Sequence, residues 1–116
     1  MVAQDTASVA GNINKLINAM ETLRSVHQDM TLNQVLVLLT VAANEGITQK
    51  QVVDLMGLTD GSVARIVAIL SKYGNRGTGP FNLIDMRIDD ADRRQRALFL
   101  TPEGRRLVNS IVRSIR

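Results

Sequence analysis

The chain has no cysteine and no tryptophan among its 116 residues, and one histidine, His27. Without Cys there is no disulfide framework, no thiolate zinc site and no cysteine redox switch. With a single His, a catalytic or metal centre has little to be built from. Aromatic side chains are equally scarce, being Tyr73, Phe81 and Phe99 alone. A single-strand nucleic-acid binder needs stacking platforms for unpaired bases, so that class is disfavoured. Long apolar runs are missing too. The longest, Val35–Ala43, is broken by Thr40 and falls far short of the roughly 20 residues that span a bilayer. No basic-then-apolar layout of a secretory signal opens the chain. The expected location is the cytoplasm, with no membrane partner.

What is present suits one compact domain over residues 1–116, since a single core is usually built from roughly 100–200 residues. Charge is divided unevenly along it. Residues 1–58 hold three bases against five acids, and residues 59–116 hold eleven bases against six acids. Most of the later bases are Arg, which forks onto phosphate or guanine edges better than Lys. Such asymmetry nominates nucleic acid, with a solubilising surface as the plainer alternative.

Helical periodicity begins early. Val9, Ile13, Leu16, Met20 and Leu23 alternate steps of four and three, with Ile17 widening the stripe, so a helix is expected over residues 5–26. Gly11 weakens its first turns and favours a late start. Thr31 and Gln34 form a capping-box pair ahead of a helix over Leu32–Glu45, and Gly46 is placed to end it. Thr48 and Gln51 repeat the box for a short helix, Gln49–Met56, closed by Gly57. Thr59 caps a further helix, with Asp60 complementing its dipole, that is expected to run to Tyr73 and stop at Gly74. Residues 75–82 (NRGTGPFN) read as loop. Leu83–Ile88 and Ala97–Leu100 alternate with a period of two, giving a β-hairpin over 83–100 with a charged tip. Thr101 and Pro102 open a last helix over 101–116, with Leu107, Val108, Ile111, Val112 and Ile115 as its apolar stripe. The expected class is mainly α with a small β-hairpin.

Within that order, residues 48–73 have the spacing of a helix-turn-helix. Val52, Val53 and Met56 face inward from the first helix, and Leu58 plugs the turn. Val63, Ile66, Val67 and Leu70 hold the second. Deleting one residue would rotate the second helix by about 100° and bury its polar face. Stepping away from the buried stripe gives Gly61, Arg65, Ala68 and Lys72, two bases separated by small residues. Small side chains let a helix approach base edges in a major groove while Arg reaches guanine or phosphate; an ordinary solvent face is the alternative. Thr59 and Ser62 flank that face. Thr48, Gln49 and Lys50 open the preceding helix, where free N–H groups suit a backbone phosphate, although Thr48 and Gln51 also cap one another. Arg76, in the loop, is a further candidate phosphate contact.

The hairpin tip, Asp89–Arg94, together with Arg96 brings three Arg beside three Asp. Arg on a slender hairpin can enter a minor groove. A plain solvated turn is the other reading, and the calcium-loop pattern with a central Gly and distant Glu is missing. No nucleophile–base pair, metal cluster or phosphate loop is present, and Gly74–Gly79 lacks the Lys-Ser/Thr ending of the last. No enzyme activity and no cofactor are therefore expected.

Helix, helix-turn-helix, strand, charged wing, strand and the run LTPEG resemble the MarR family of winged-helix transcription regulators. The similar stretch covers about Leu32 to Val108, and its more specific pieces are MGLTDGSVARIVAIL and DRRQRALFLTPEGRRLV. The resemblance implies a winged helix-turn-helix in which Ser62 and Arg65 contact DNA. It implies that Arg93 or Arg94 enters the minor groove and that Asp92 steadies a neighbouring Arg. It further implies a homodimer on a pseudo-palindromic site, often acting as a repressor. Two features depart from the family. Loop 75–82 is longer than its usual step into the wing, and Arg116 ends the chain without the extended C-terminal helical region often used for pairing. Pairing through the N- and C-terminal helices is the expected substitute, and no sequence feature argues for a small-molecule effector. The leading expectation is a sequence-specific regulator of double-stranded DNA, nucleoid-associated when bound. The alternatives are an accessory factor in replication, partition or packaging, and a protein-interaction module that does not touch DNA.

Overall fold

The structure, a computed structural model, describes residues 3–115. Of the span 1–116, Met1, Val2 and Arg116 lie outside the described residues, and so does the last position of the helix expected over 101–116. The elements follow in the order α1 (Ala3–Val26), α2 (Leu32–Ala43), β1 (Ile47–Thr48), α3 (Gln49–Met56), α4 (Asp60–Leu70), β2 (Ile84–Ile88), β3 (Arg96–Leu100) and α5 (Pro102–Ser114). The mainly helical class with a small sheet is as expected. The helix α1 continues straight through Gly11 instead of starting late. The chain divides into two compact units, one of residues up to Met30 with those from Arg106 onward, the other Thr31–Arg105.

Capping chemistry sets the helix starts in the larger unit. The hydroxyls of Thr31 and Thr48 accept the N–H groups of Gln34 and Gln51, whose side-chain oxygens accept the threonine N–H groups in return. Each box satisfies two N–H groups that a helix start otherwise leaves open. Helix α2 ends at Ala43, two residues before the expected Glu45, because Asn44 leaves helical geometry and caps it. Gly57 takes φ 67°, the left-handed conformation that lets the chain turn between α3 and α4 without a Cβ clash. The core is apolar and closed: Val37, Leu38, Val41, Val52, Val63, Val67, Leu70 and Leu98 have no exposed surface. It lies where α2 and α3 pack on α4 and on β3.

The sheet holds one strand that periodicity did not predict. Its order is β1-β3-β2, antiparallel throughout, with Ile47 opposite Leu98 and Thr48 opposite Ala97. On the other edge of β3 the register runs from Ile84 opposite Leu100 to Ile88 opposite Arg96. A two-residue strand has no alternation to read, so it is visible only through its partner. Glu45 extends this edge with its side chain. Its carboxylate accepts the Leu100 N–H at 2.8 Å and takes Arg105 Nη2 on both oxygens at 3.1 and 3.0 Å. Thr101 caps α5 as expected, accepting the Gly104 N–H while its own hydroxyl donates to the Asn82 carbonyl. Gly104 lies against β2's approach, where an added Cβ would stand 2.1 Å from the Leu83 carbonyl oxygen.

The helix expected to run to Tyr73 ends at Leu70. Ser71 is buried and its hydroxyl takes the Ala68 carbonyl, as does the Gly74 N–H. The N–H groups of Phe81, Leu83 and Asn82 then take the carbonyls of Ile69, Leu70 and Ser71. Loop 75–82 thereby satisfies the end of α4 rather than passing freely into the wing. Within it Asn75 and Thr78 exchange backbone hydrogen bonds around Arg76 and Gly77, both at positive φ, as in a two-residue hairpin turn.

In the smaller unit, the hydroxyls of Thr22 and Ser114 meet at 3.0 Å. Ala19, Leu23, Leu107, Val108 and Ile111 are buried. The α1 stripe is otherwise open: Val9, Ile13, Leu16, Ile17 and Met20 keep 46–58% of their surface exposed.

Two outcomes follow from the packing around Gly104 and Glu45. Gly104→Ala forces backbone apart and lowers the unfolding free energy by about 2–3 kcal/mol; a urea midpoint equal to that of the parent overturns the close approach. The Leu100 N–H holds the Glu45 carboxyl below the ordinary carboxylate range; partial burial pushes the other way, and Arg105 and Arg87 add to the lowering. A lowered folded value means stabilisation that is present above the unfolded pKa, about 4.3 for Glu, and lost as pH falls through the folded one. Glu45→Gln keeps an acceptor without charge, so its stability depends less on pH in that acid range. Parallel stability–pH curves for parent and variant contradict this.

Candidate nucleic-acid interface

The candidate surface lies wholly in the Thr31–Arg105 unit and starts from the first turn of α4. Thr59 caps this helix, its hydroxyl accepting the Ser62 N–H at 3.1 Å and donating to Ser62 Oγ at 2.9 Å. Arg65 is exposed, and its Nη2 donates back to Ser62 Oγ at 3.3 Å. Gly61 is exposed beside them, and a Cβ built there would sit 3.6 Å from Arg65 Nη1. The guanidinium therefore lies along the helix toward its N-terminus, the direction in which helical side chains lean.

The start of α3 reaches the same neighbourhood. Gln49, Lys50, Val53, Asp60 and Gln95 line one cleft of about 290 Å3. Lys50 is exposed and Gln49 half-buried; the Thr48 hydroxyl is occupied by its capping box. Gln95 closes the tip loop of the wing, its carbonyl accepting the Asp89 N–H, so this cleft brings the starts of both helices to the wing. Gln95 was missed by sequence reasoning because nothing local distinguishes it from a polar turn residue. Glu45 was missed as well, its partners lying 55 and 60 positions later.

The wing tip is built by its acids. Asp89 Oδ1 accepts the Ala91 N–H, and Asp92 Oδ1 accepts the Arg94 N–H at 3.1 Å. The Asp92 carboxylate also takes Arg94 Nε at 3.1 Å and Nη2 at 3.3 Å, a forked pair. The Arg94 guanidinium first, then its N–H, holds the Asp92 carboxyl below its ordinary range. The geometry thus has Asp92 orienting Arg94. Arg93 is exposed and has no ion-pair partner among the described residues. Arg96, also exposed, opens β3 and donates to the Gln95 carbonyl. Lower in the wing, Arg87 lies 4.1 Å from the Phe99 ring centre and pairs with Asp85.

Two candidates stand elsewhere. Lys72 is not on α4, which ends at Leu70; it lies beyond the cap with its ammonium over the Tyr73 ring at 5.4 Å. The expected outer face of Gly61, Arg65, Ala68 and Lys72 therefore loses its last member, because the carbonyls that would continue the helix are taken by Ser71 and the returning loop. Arg76 sits in the 75–78 turn at the same end. The 11 residues of α4 rise by roughly 16 Å, and that length separates Lys72 and Arg76 from the first turn.

No helix among the described residues is long and apolar enough to cross a membrane, and no group of three or more His, Cys, Asp or Glu among them could hold a metal ion.

Comparison with known proteins bears on the fold. Residues 28–74 match the model of the MarR family. The chain is similar to a MarR transcriptional regulator from Methanosarcina mazei Go1 at 20% identity and TM-score 0.64, covering 95% of this chain and 72% of the other. Against the transcriptional regulator Tm0710 from Thermotoga maritima the values are 17% and 0.72, covering 97% and 74%. A mutant of S. aureus MepR, solved bound to an oligodeoxyribonucleotide, gives 20% and 0.69, covering 97% and 76%. No curated protein matches the sequence. At these identities the structural likeness is one of fold. Residues 28–74 thus match the MarR family model, and the fold is the winged-helix fold of these solved regulators.

Proposed function

We propose that this protein is a sequence-specific regulator that binds double-stranded DNA, with α4 in the major groove and the wing in the adjacent minor groove, and that it represses by covering a promoter. The observation that supports this reading is the cleft lined by Lys50, the α4 start and Gln95 of the wing. Asp60 brings the head of α4, which carries exposed Arg65 on a different side of the helix, to this cleft, and Gln95 brings the Arg-bearing tip; following a duplex from one groove to the next needs both elements. In this reading Ser62 and Arg65, with Gly61 and Thr59 beside them, meet base edges. Thr48, Gln49 and Lys50 meet the backbone, and Arg93, Arg94 and Arg96 enter or flank the minor groove. Lys72 and Arg76, a helix length away, neutralise phosphates outside this central contact. A DNA-bound MepR structure of the same fold adds support by analogy.

A dimer is part of the same reading. A row of five half-exposed apolar side chains on α1, with Val112 exposed on α5 and Ile115 just beyond it, is an apolar surface of the kind that pairs. Two-fold pairing matches a pseudo-palindromic site.

Two measurements test these assignments. Arg65→Ala costs about 1–3 kcal/mol on a selected site and less on random duplex, because it removes a base contact. Arg93→Ala weakens both alike and reduces the salt slope by about one. Equal loss on both duplexes for Arg65→Ala removes it from base reading. For the dimer, Ile13→Glu yields a monomer in sedimentation equilibrium at concentrations where the parent is paired; a parent that is itself monomeric there refutes the pairing.

A further inference from the structure

The hydrogen bonds at the head of α4 restrict what it can read, an inference that rests on the DNA-binding role proposed above. A serine oxygen has two lone pairs and one proton. At Ser62 the Thr59 hydroxyl and Arg65 Nη2 both donate to this oxygen, at 2.9 and 3.3 Å. Its acceptor capacity is therefore used within the protein. Its own proton has no acceptor among the described residues, and Arg65 has only N–H groups to offer. Gly61 and Ala64, exposed beside them, add no polar side-chain atom. The nearby acid Asp60 stands about 150° round the helix from Ser62 and Arg65 and lines the cleft with Lys50 and Gln95 instead.

We propose that Ser62 is a positioning residue which, held by Thr59, seats the Arg65 guanidinium over Gly61 and makes the Ser62–Arg65 pair a donor-only probe for guanine. In the major groove guanine presents two acceptors, N7 and O6. Adenine sets an amino donor beside its N7, and cytosine presents a donor. A pair that offers only donors matches guanine and meets an opposing donor at cytosine. Fixing the guanidinium before contact also reduces the side-chain freedom lost on binding.

The test uses the full-length protein and duplexes selected from a random pool. Each recurrent guanine is replaced by 7-deazaguanine, which removes the N7 acceptor and keeps the pairing edge. For the parent, one such replacement in each half-site weakens binding on the order of tenfold. In Ser62→Ala, whose α4 keeps its cap because Thr59 accepts the backbone N–H of residue 62, that ratio falls toward one. Ser62→Thr, which retains the hydroxyl, restores it. A selected site with no N7-sensitive guanine, or a Ser62→Ala protein with the full parental ratio, overturns the inference while leaving DNA binding intact. Absence of any salt-sensitive binding to duplex overturns the DNA-binding reading itself, and this inference with it.

Discussion

Strand β3 is paired on both edges, and Thr48 is the residue through which one of those edges governs the helices. Its backbone pairs with Ala97, and its hydroxyl caps α3. One residue is thus at once the end of a strand and the start of a helix. Because α3 begins there, and Gly57 sets the turn into α4, the direction of α4 relative to the wing descends from a strand only two residues long. Glu45 strengthens the same edge, its carboxylate taking the Leu100 N–H where a further strand residue would have offered a carbonyl. A buried backbone donor costs free energy when left unpaired. The carboxylate removes that cost and draws Arg105, on the first turn of α5, to the same point.

The two ends of α4 are treated differently. At its C-terminal end, the returning loop supplies N–H groups to carbonyls that would otherwise be unpaired, and Ser71 is sealed beneath it. At its N-terminal end the polar side chains bond to one another and remain accessible. The loop that looks too long for a step into the wing has a structural use, closing one end of the helix so that the chain enters β2 from a defined position. The free end is then the one whose Asp60 lines the cleft with Gln95 of the wing.

Charge in the wing follows a related division. Asp89 and Asp92 accept backbone N–H groups two residues ahead, as acids in tight turns do. These two carboxylates among the arginines are therefore turn-formers. Asp92 forks onto Arg94 and leaves Arg93 extended into solvent. Two of the three acids in this mixed cluster, Asp89 and Asp92, are thus spent on the protein's own backbone. On α1, by contrast, apolar side chains stay half-exposed along most of the helix, a surface that a polar environment does not reward.

Short-range chemistry was enough to determine most of the elements. Two capping boxes, the Thr59 cap, Gly57 in its turn, the period-two run into the wing and the Thr101–Pro102 start each act within a few residues and are legible in the sequence. The same is true of the clustering of Arg65, Arg93, Arg94 and Arg96 in the second half. Tertiary structure alone decided the rest: the existence of β1, the Glu45 clamp across 55 and 60 positions, the end of α4 at Leu70, and the separation of Lys72 and Arg76 from the first turn. Each of these depends on a hydrogen bond between segments far apart in the chain or on backbone groups common to every residue. Neither leaves a pattern in side-chain type, so the chain must fold before they can be seen.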